Sequence, residues 1–219
     1  MDKKKIIEST AAHVREKLSG EETGHDWWHS ERVRKTALHI AKEEGADTFI
    51  VELAALLHDI ADYKFNSMDD SAGPKAAREI LQTLGADEGT ISHVCEIIET
   101  ISFKGAGSES KIKTKEAMAV QDADRLDAMG AIGIARTFAT GAKLKRPIHN
   151  PEIKPMLHKN AQEYKDNAAR GGSINHFHEK LLHLKDRMET ETGRKMAEHR
   201  HEFMEQYLEE FYNEWEGKI

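Results

Sequence analysis

Cysteine is nearly missing from this 219-residue chain: Cys95 stands alone, so no intrachain disulfide can form. A disulfide framework is excluded, and a reducing compartment fits. No apolar run is long enough to span a bilayer. Met1-Asp2-Lys3-Lys4-Lys5 leads into a charged amphipathic segment, not into a secretory hydrophobic one. Positive charge is not in excess either. The formal net charge of -7 argues against nucleic-acid polymers as partners, because those favour a basic footprint. Proline is limited to four residues, and no internal repeat, heptad run, low-complexity segment or phosphate-cradling glycine motif is found. The alternating pattern of half-buried strands is also missing. Together these absences predict a cytoplasmic protein with no membrane segment.

Hydrophobic residues make up 38% of the chain and charged residues 32%. That is the balance of a soluble globular protein somewhat rich in charge. The length is most economically one domain with a substantial core. Cys95, set among Ile91, Val94, Ile97 and Ile98, reads as a buried structural thiol.

The periodicity is helical almost throughout. Ile7, Ala11, Val14 and Leu18 form a first stripe, closed by Gly20. Val33, Ala37, Ile40 and Ala41 form a second, closed by Gly45. Asp47 caps the next helix, which carries Ile50, Leu53, Ala54, Leu57 and His58. Pro74 suits the first turn of a helix running to Leu84, with Gly85 after it. Asp87 starts the helix of Ile91, Val94, Ile98 and Ile101, and Thr114 starts a long one through Ala117, Val120, Asp124, Ala128 and Ala131. Residues 62–73, 103–113 and 141–155 read as irregular. Two more helices are expected over 173–189 and 193–216, the last with Met196, Phe203, Tyr207, Phe211 and Trp215 on one side. The fold class expected is all α.

Three ionisable residues fall on apolar faces of separate helices. His29 lies four residues before Val33, His58 four after Ala54, and Asp124 four after Val120. A buried carboxylate without compensation costs several kcal/mol. One shared cation would compensate all three, and Asp59 beside His58 can add a fourth ligand. Imidazole plus carboxylate is a common ligand mix for a catalytic divalent ion. His39, about 80–100° around the helix from His29, falls outside the group.

The ordered set of His29, the doublet His58-Asp59 and the distant Asp124 resembles the HD-domain metal-dependent phosphohydrolase superfamily. The family's Ala-Asp-Arg/Lys-Leu context falls on Ala123-Asp124-Arg125-Leu126 and selects Asp124 over Asp122 and Asp127. Helical phase agrees, since Asp122 lies about 200° around from Asp124. A closer resemblance, to small bacterial HD hydrolases that include nucleotide pyrophosphohydrolases, rests on several further segments. These are His25-Asp26, Asp62-Tyr63-Lys64, Ile101-Ser102-Phe103-Lys104-Gly105, residues 121–136, and Ile174-Asn175-His176-Phe177-His178-Glu179-Lys180-Leu181. Thr190-Glu191-Thr192-Gly193 and Arg200 extend it towards the carboxyl end. The Gly-Tyr-Pro signature of cyclic-dinucleotide phosphodiesterases is lacking.

The resemblance implies an HD-type helical bundle of one domain, 1–219, with a metal core over about residues 20–140 and helices of 173–216 packing on it. It implies one divalent ion (Mn, Ni, Fe, Co or Mg) on His29, His58, Asp59 and Asp124. The activity implied is phosphohydrolysis of small-molecule nucleotides, foremost release of pyrophosphate from (deoxy)nucleoside triphosphates. Alternatives are a nucleoside monophosphatase or cyclic-nucleotide phosphodiesterase on the same centre, and a non-catalytic nucleotide-sensing module. No ligand is lost, which favours hydrolysis. Asp62 is implied as general acid/base, and His25 as a pocket-lining residue. Lys64, Lys104, Arg136, Lys180 and Arg200 are candidate contacts to substrate phosphates. The aromatic carboxyl-terminal helix could serve a homodimer.

Overall fold

The computed structural model describes residues 2–19, 26–60, 71–101, 113–156 and 171–218. All regular structure among them is helical, as expected. The helices are α1 (Lys3–Lys17), α2 (Trp27–Glu44), α3 (Thr48–Leu57), α4 (Ala72–Thr83) and α5 (Glu88–Ile101). They continue with α6 (Lys115–Asp127), α7 (Gly130–Lys143), α8 (Ser173–Glu179) and α9 (Glu191–Trp215). The chain groups into two compact units, whose described residues are those up to 101 with 113–124, and 125–218. No helix among the described residues is long and apolar enough to cross a membrane.

Helix α3 is the hub of the first unit. It packs against α1, α2 and α5, while α4 pairs with α5. Phe49, Ile50, Val51 and Leu53 to Leu57 are all buried, so α3 is apolar on every side, as a central helix must be. Capping sets where each helix begins and ends. Asp47 Oδ1 accepts from the amides of Phe49 and Ile50, at 2.9 and 3.4 Å. Asp87 receives the Thr90 amide and hydroxyl, at 3.0 and 2.8 Å. Thr114 Oγ1 accepts from Ala117 N at 3.2 Å. Gly45 closes α2 at φ 69°, a conformation that favours glycine. At the start of α6, Glu116 accepts the Asp47 amide at 2.8 Å and Lys115 donates to the Glu44 carbonyl at 2.7 Å. These two bonds tie α6 to the α2–α3 corner.

Several expectations need correction. The α1 stripe is Ile6, Thr10 and Val14, one residue out of phase with the expected Ile7 and Ala11. The long helix from Thr114 stops at Asp127, and Gly130, at φ 66°, opens α7. Helix α7 then continues past Gly141 to Lys143. The expected helix over 173–189 ends at Glu179 and gives way to 3-10 turns at Leu181–His183 and Lys185–Arg187. Cys95 is only half-buried; its thiol donates to the Pro74 carbonyl at 3.3 Å.

In the second unit, α7 packs against both α8 and α9. Tyr207 of α9 stacks on Phe177 of α8 at 6.0 Å and meets Phe138 of α7 at 6.2 Å. A methyl group at Gly141 would lie 2.1 Å from Ser173 Oγ, so the glycine permits the close approach of α7 and α8. The buried stripe of α9 is Gly193, Ala197, His201, Met204 and Leu208. Phe203 and Trp215 are about half exposed, so the aromatic side expected from the sequence is not the core side.

His176 of α8 is held neutral. Burial, reinforced by the positive charges of Lys180 and Arg146, pushes its pKa down to about 3. Its unfolded value lies near 6.5, so below that pH the unfolded chain takes up a proton that the folded chain refuses until about 3. Stability should therefore fall as pH drops through this window, by up to about 1.4 kcal/mol per unit from this group. Denaturant unfolding at pH 7 and pH 5 checks it: His176→Gln should lose less stability between the two than wild type. Equal losses would mean that the proton reaches His176 in the folded state.

Candidate metal centre

Four side chains converge in the first unit. Asp26 caps α2 through its Oδ1, which accepts the His29 amide at 2.9 Å and fixes His29 in the first helical turn. The apolar hub α3 ends at Leu57, and its last turn delivers His58 and Asp59. Helix α6 brings Asp124. His29 Nε2 lies 3.2 Å from His58 Nε2, 3.3 Å from Asp59 Oδ2 and 3.4 Å from Asp124 Oδ1. His58 Nε2 is 3.4 Å from Asp59 Oδ2 and 3.9 Å from Asp124 Oδ1.

These separations fit a cation. Bonds of about 2.0–2.2 Å place ligand atoms about 3 Å apart at right angles and about 4 Å apart across the ion. The chemistry of the donor set agrees. His58 Nδ1 donates to the Ala55 carbonyl, 2.8 Å away and one of the free acceptors at the end of α3. That bond fixes the tautomer and leaves the Nε2 lone pair facing the cluster. His29 Nε2 thus faces a nitrogen lone pair and two carboxylate oxygens, and one proton cannot serve all three. A dication can. Among the described residues, His29, His58 and Asp59 form a group that could hold a metal ion, with ligand atoms within 4.8 Å of one another.

Burial alone would select a different acid. The Asp124 side chain is 46% exposed, whereas Asp122 is fully buried and Asp127 nearly so. The expectation that Asp124 lies on an apolar face is corrected; the distances single it out nonetheless. Asp127 instead pairs with Arg136 Nη1 at 2.7 Å. Breaking that pair strands a guanidinium with 19% exposure. Asp127→Ala should therefore lower stability by about 2–3 kcal/mol, less than the roughly 3–5 of a fully buried pair, with metal content unchanged. Unfolding curves beside elemental analysis test both parts.

The other expected site residues divide in two. His25, Asp62, Lys64 and Lys104 lie outside the described residues. Arg136, Lys180 and Arg200 belong to the second unit, and two of them are engaged within the fold. Arg136 holds Asp127. Arg200 Nη1 donates to the Leu126 carbonyl, and its methylenes lie where a side chain on Gly130 would go. Burial pushes the Arg200 guanidinium below its ordinary value, with Asp127 opposing the shift. Lys180 ends α8, and its charge acts on His176. Sequence reasoning missed both the Asp127–Arg136 pair and the neutral His176. A nine-residue separation across a helix break carries no periodic signal.

Comparison with known proteins identifies the family. The HD domain family pattern matches residues 27–129. The chain is 36% identical to YpgQ of Bacillus subtilis over 99% of its own length and 97% of that protein's. The crystal structure of YpgQ in complex with ADP superposes with a TM-score of 0.77, at 34% identity, covering 98% of this chain and 97% of that one. An HD-superfamily hydrolase from Bacillus thuringiensis superposes with a TM-score of 0.77 at 42% identity, covering 98% of each chain. With His29, the His58-Asp59 doublet and Asp124 brought together inside the matched region, the chain belongs to the HD domain family.

Proposed function

We propose that this protein is a metal-dependent phosphohydrolase of nucleotides, which cleaves (deoxy)nucleoside triphosphates with release of pyrophosphate. The observation that carries the reading is a pair of imidazole nitrogens 3.2 Å apart, with one carboxylate oxygen of Asp59 and one of Asp124 each lying 3.3–3.9 Å from both nitrogens. Bound there, a divalent ion polarises a phosphoryl group and lowers the pKa of water. His29, His58, Asp59 and Asp124 hold it, with His58 oriented by Ala55. Asp62 is assigned the proton-handling role on its resemblance-based position three residues after Asp59. Two relatives support hydrolysis and the substrate class: the B. thuringiensis protein is an HD-superfamily hydrolase, and YpgQ binds ADP.

A panel of ribo- and deoxyribonucleotides with added Mn or Mg, resolving orthophosphate from pyrophosphate, tests the proposal. Triphosphates are expected to yield a monophosphate and pyrophosphate. Orthophosphate as the sole product would move the cleaved bond. Binding of nucleotides without turnover of any would replace the enzyme by a sensor.

A further inference from the structure

Asp124 is the ligand least held by its surroundings. Its side chain is 46% exposed, against 17% for Asp59, so packing does not fix the carboxylate. It also stands in the last turn of α6, which ends at Asp127, and helix ends fray. The bonds that tie the start of α6 to the α2–α3 corner leave from Lys115 and Glu116, about 12 Å of helix before Asp124.

Directly after Asp124, two consecutive residues are gripped by parts of the chain far away in sequence. The Arg125 guanidinium donates to the Arg187 carbonyl and lies 3.7 Å from Glu189 Oε1. The Leu126 carbonyl accepts from Arg200 Nη1. Both anchors are themselves braced. Arg194 Nη1 donates to the Met188 and Glu189 carbonyls at 3.0 and 3.4 Å, and Met188 is buried. Thr190 then caps α9 by accepting the Gly193 amide at 2.9 Å. Arg200 stands within α9, its methylenes lying where a side chain on Gly130 would go. The Arg200 grip also suits a helix end, where carbonyls short of partners attract cations.

We propose that Arg125 and Arg200 are positioning residues for Asp124: by gripping the two residues after it, they hold its carboxylate where a divalent ion shared with His29 and His58 requires it. Asp124 Oδ1 lies 3.4 Å from His29 Nε2 and 3.9 Å from His58 Nε2. Metal–ligand bonds tolerate a drift of only about 0.2 Å, which a fraying last turn would exceed. Arg200, which the resemblance assigns to substrate phosphates, thereby serves the metal. The inference rests on the reading of Asp124 as a ligand and adds to it the groups that keep that ligand in place.

Arg125→Met and Arg200→Met test this, since each drops the guanidinium and keeps an unbranched, helix-forming side chain. Titration with Mn alone should show affinity weakened by about 10- to 100-fold in each, the usual cost of removing a group that orients a ligand. Arg125→Lys and Arg200→Lys, which keep a cation for the same carbonyls, should lose less. The separating measurement repeats both Met substitutions in an Asp124→Ala background. There they should weaken Mn binding no further, because the carboxylate they act through is gone. A loss of the same size with and without Asp124 would mark a general effect on the fold and overturn the assignment. Wild-type Mn affinity in both Met variants would overturn it too. A lower melting temperature would then give the two arginines to the fold, and a higher KM for triphosphates would give them to substrate phosphates. Each of these results leaves the metal centre and the hydrolytic reading standing. Mn affinity unchanged by Asp124→Ala alone overturns the ligand reading and this inference together.

Discussion

Asp124→Ala protein should emerge from gel filtration without tightly held metal, and with it should go nearly all hydrolase activity. Three ligand atoms remain in that variant, two imidazoles fixed by α2 and the end of α3 and one carboxylate. They lack the second negative charge that offsets a dication. Loss of a partner outside the coordination sphere already weakens metal binding by about 10–100-fold, so loss of a direct ligand should exceed about 100-fold. The comparison with Asp127→Ala makes the experiment specific. Asp127 lies on the same helix and is more deeply buried than Asp124, yet its carboxylate serves Arg136. Metal analysis should separate the two variants, while unfolding should penalise Asp127→Ala more. Full metal content and turnover in Asp124→Ala would reduce the centre to His29, His58 and Asp59.

The second large effect is expected at Asp62. If its carboxylate takes a proton from water or gives one to the leaving group, Asp62→Asn should lower kcat by about 10²- to 10⁴-fold, the usual range for a lost acid/base. Metal content should stay at the wild-type level, because an amide three residues from Asp59 removes no ligand. Near-normal kcat in this variant would take Asp62 out of the mechanism and leave proton transfer to bulk water.

The helix starts were legible because their signals are local. Asp47, Asp87 and Thr114 cap through bonds spanning two or three residues, and Gly45 ends α2 through its own backbone. The grouping of His29, His58-Asp59 and Asp124 was legible because chemistry, order and helical phase coincided there. What sequence could not show is tertiary. The run from Ala117 to Ala131 keeps apolar spacing across the break at Gly130, where the backbone is left-handed and the methylenes of Arg200, 70 residues away in sequence, fill the space a side chain would take. Leu181, Leu184 and Met188 are all buried. Their spacing of three and four residues suits a helix, but the chain meets it with two 3-10 turns. In α9 the small residues Gly193 and Ala197 go inside, while Tyr207 packs ring on ring with Phe177. Hydrophobicity ranks side chains by size and so named the rim of that helix before its core. Asp124 does lie beside His29 and His58, but the burial expected of it belongs to its neighbours Asp122 and Asp127.

Solvent contact rises in steps across the quartet, from the sealed imidazoles of His29 and His58, through Asp59, to Asp124. Asp124 is the most solvent-open of the four side chains. A divalent ion held by these residues would be released first at Asp124, with the imidazoles still clamped by their helices, so its exchange would need a local opening and not unfolding. Which metal occupies the protein then follows from what the surroundings supply, as carboxylate and imidazole donors discriminate weakly among Mn, Fe and Co. A strong chelator should strip the ion within the lifetime of the folded chain, and a different ion added afterwards should restore the centre without refolding.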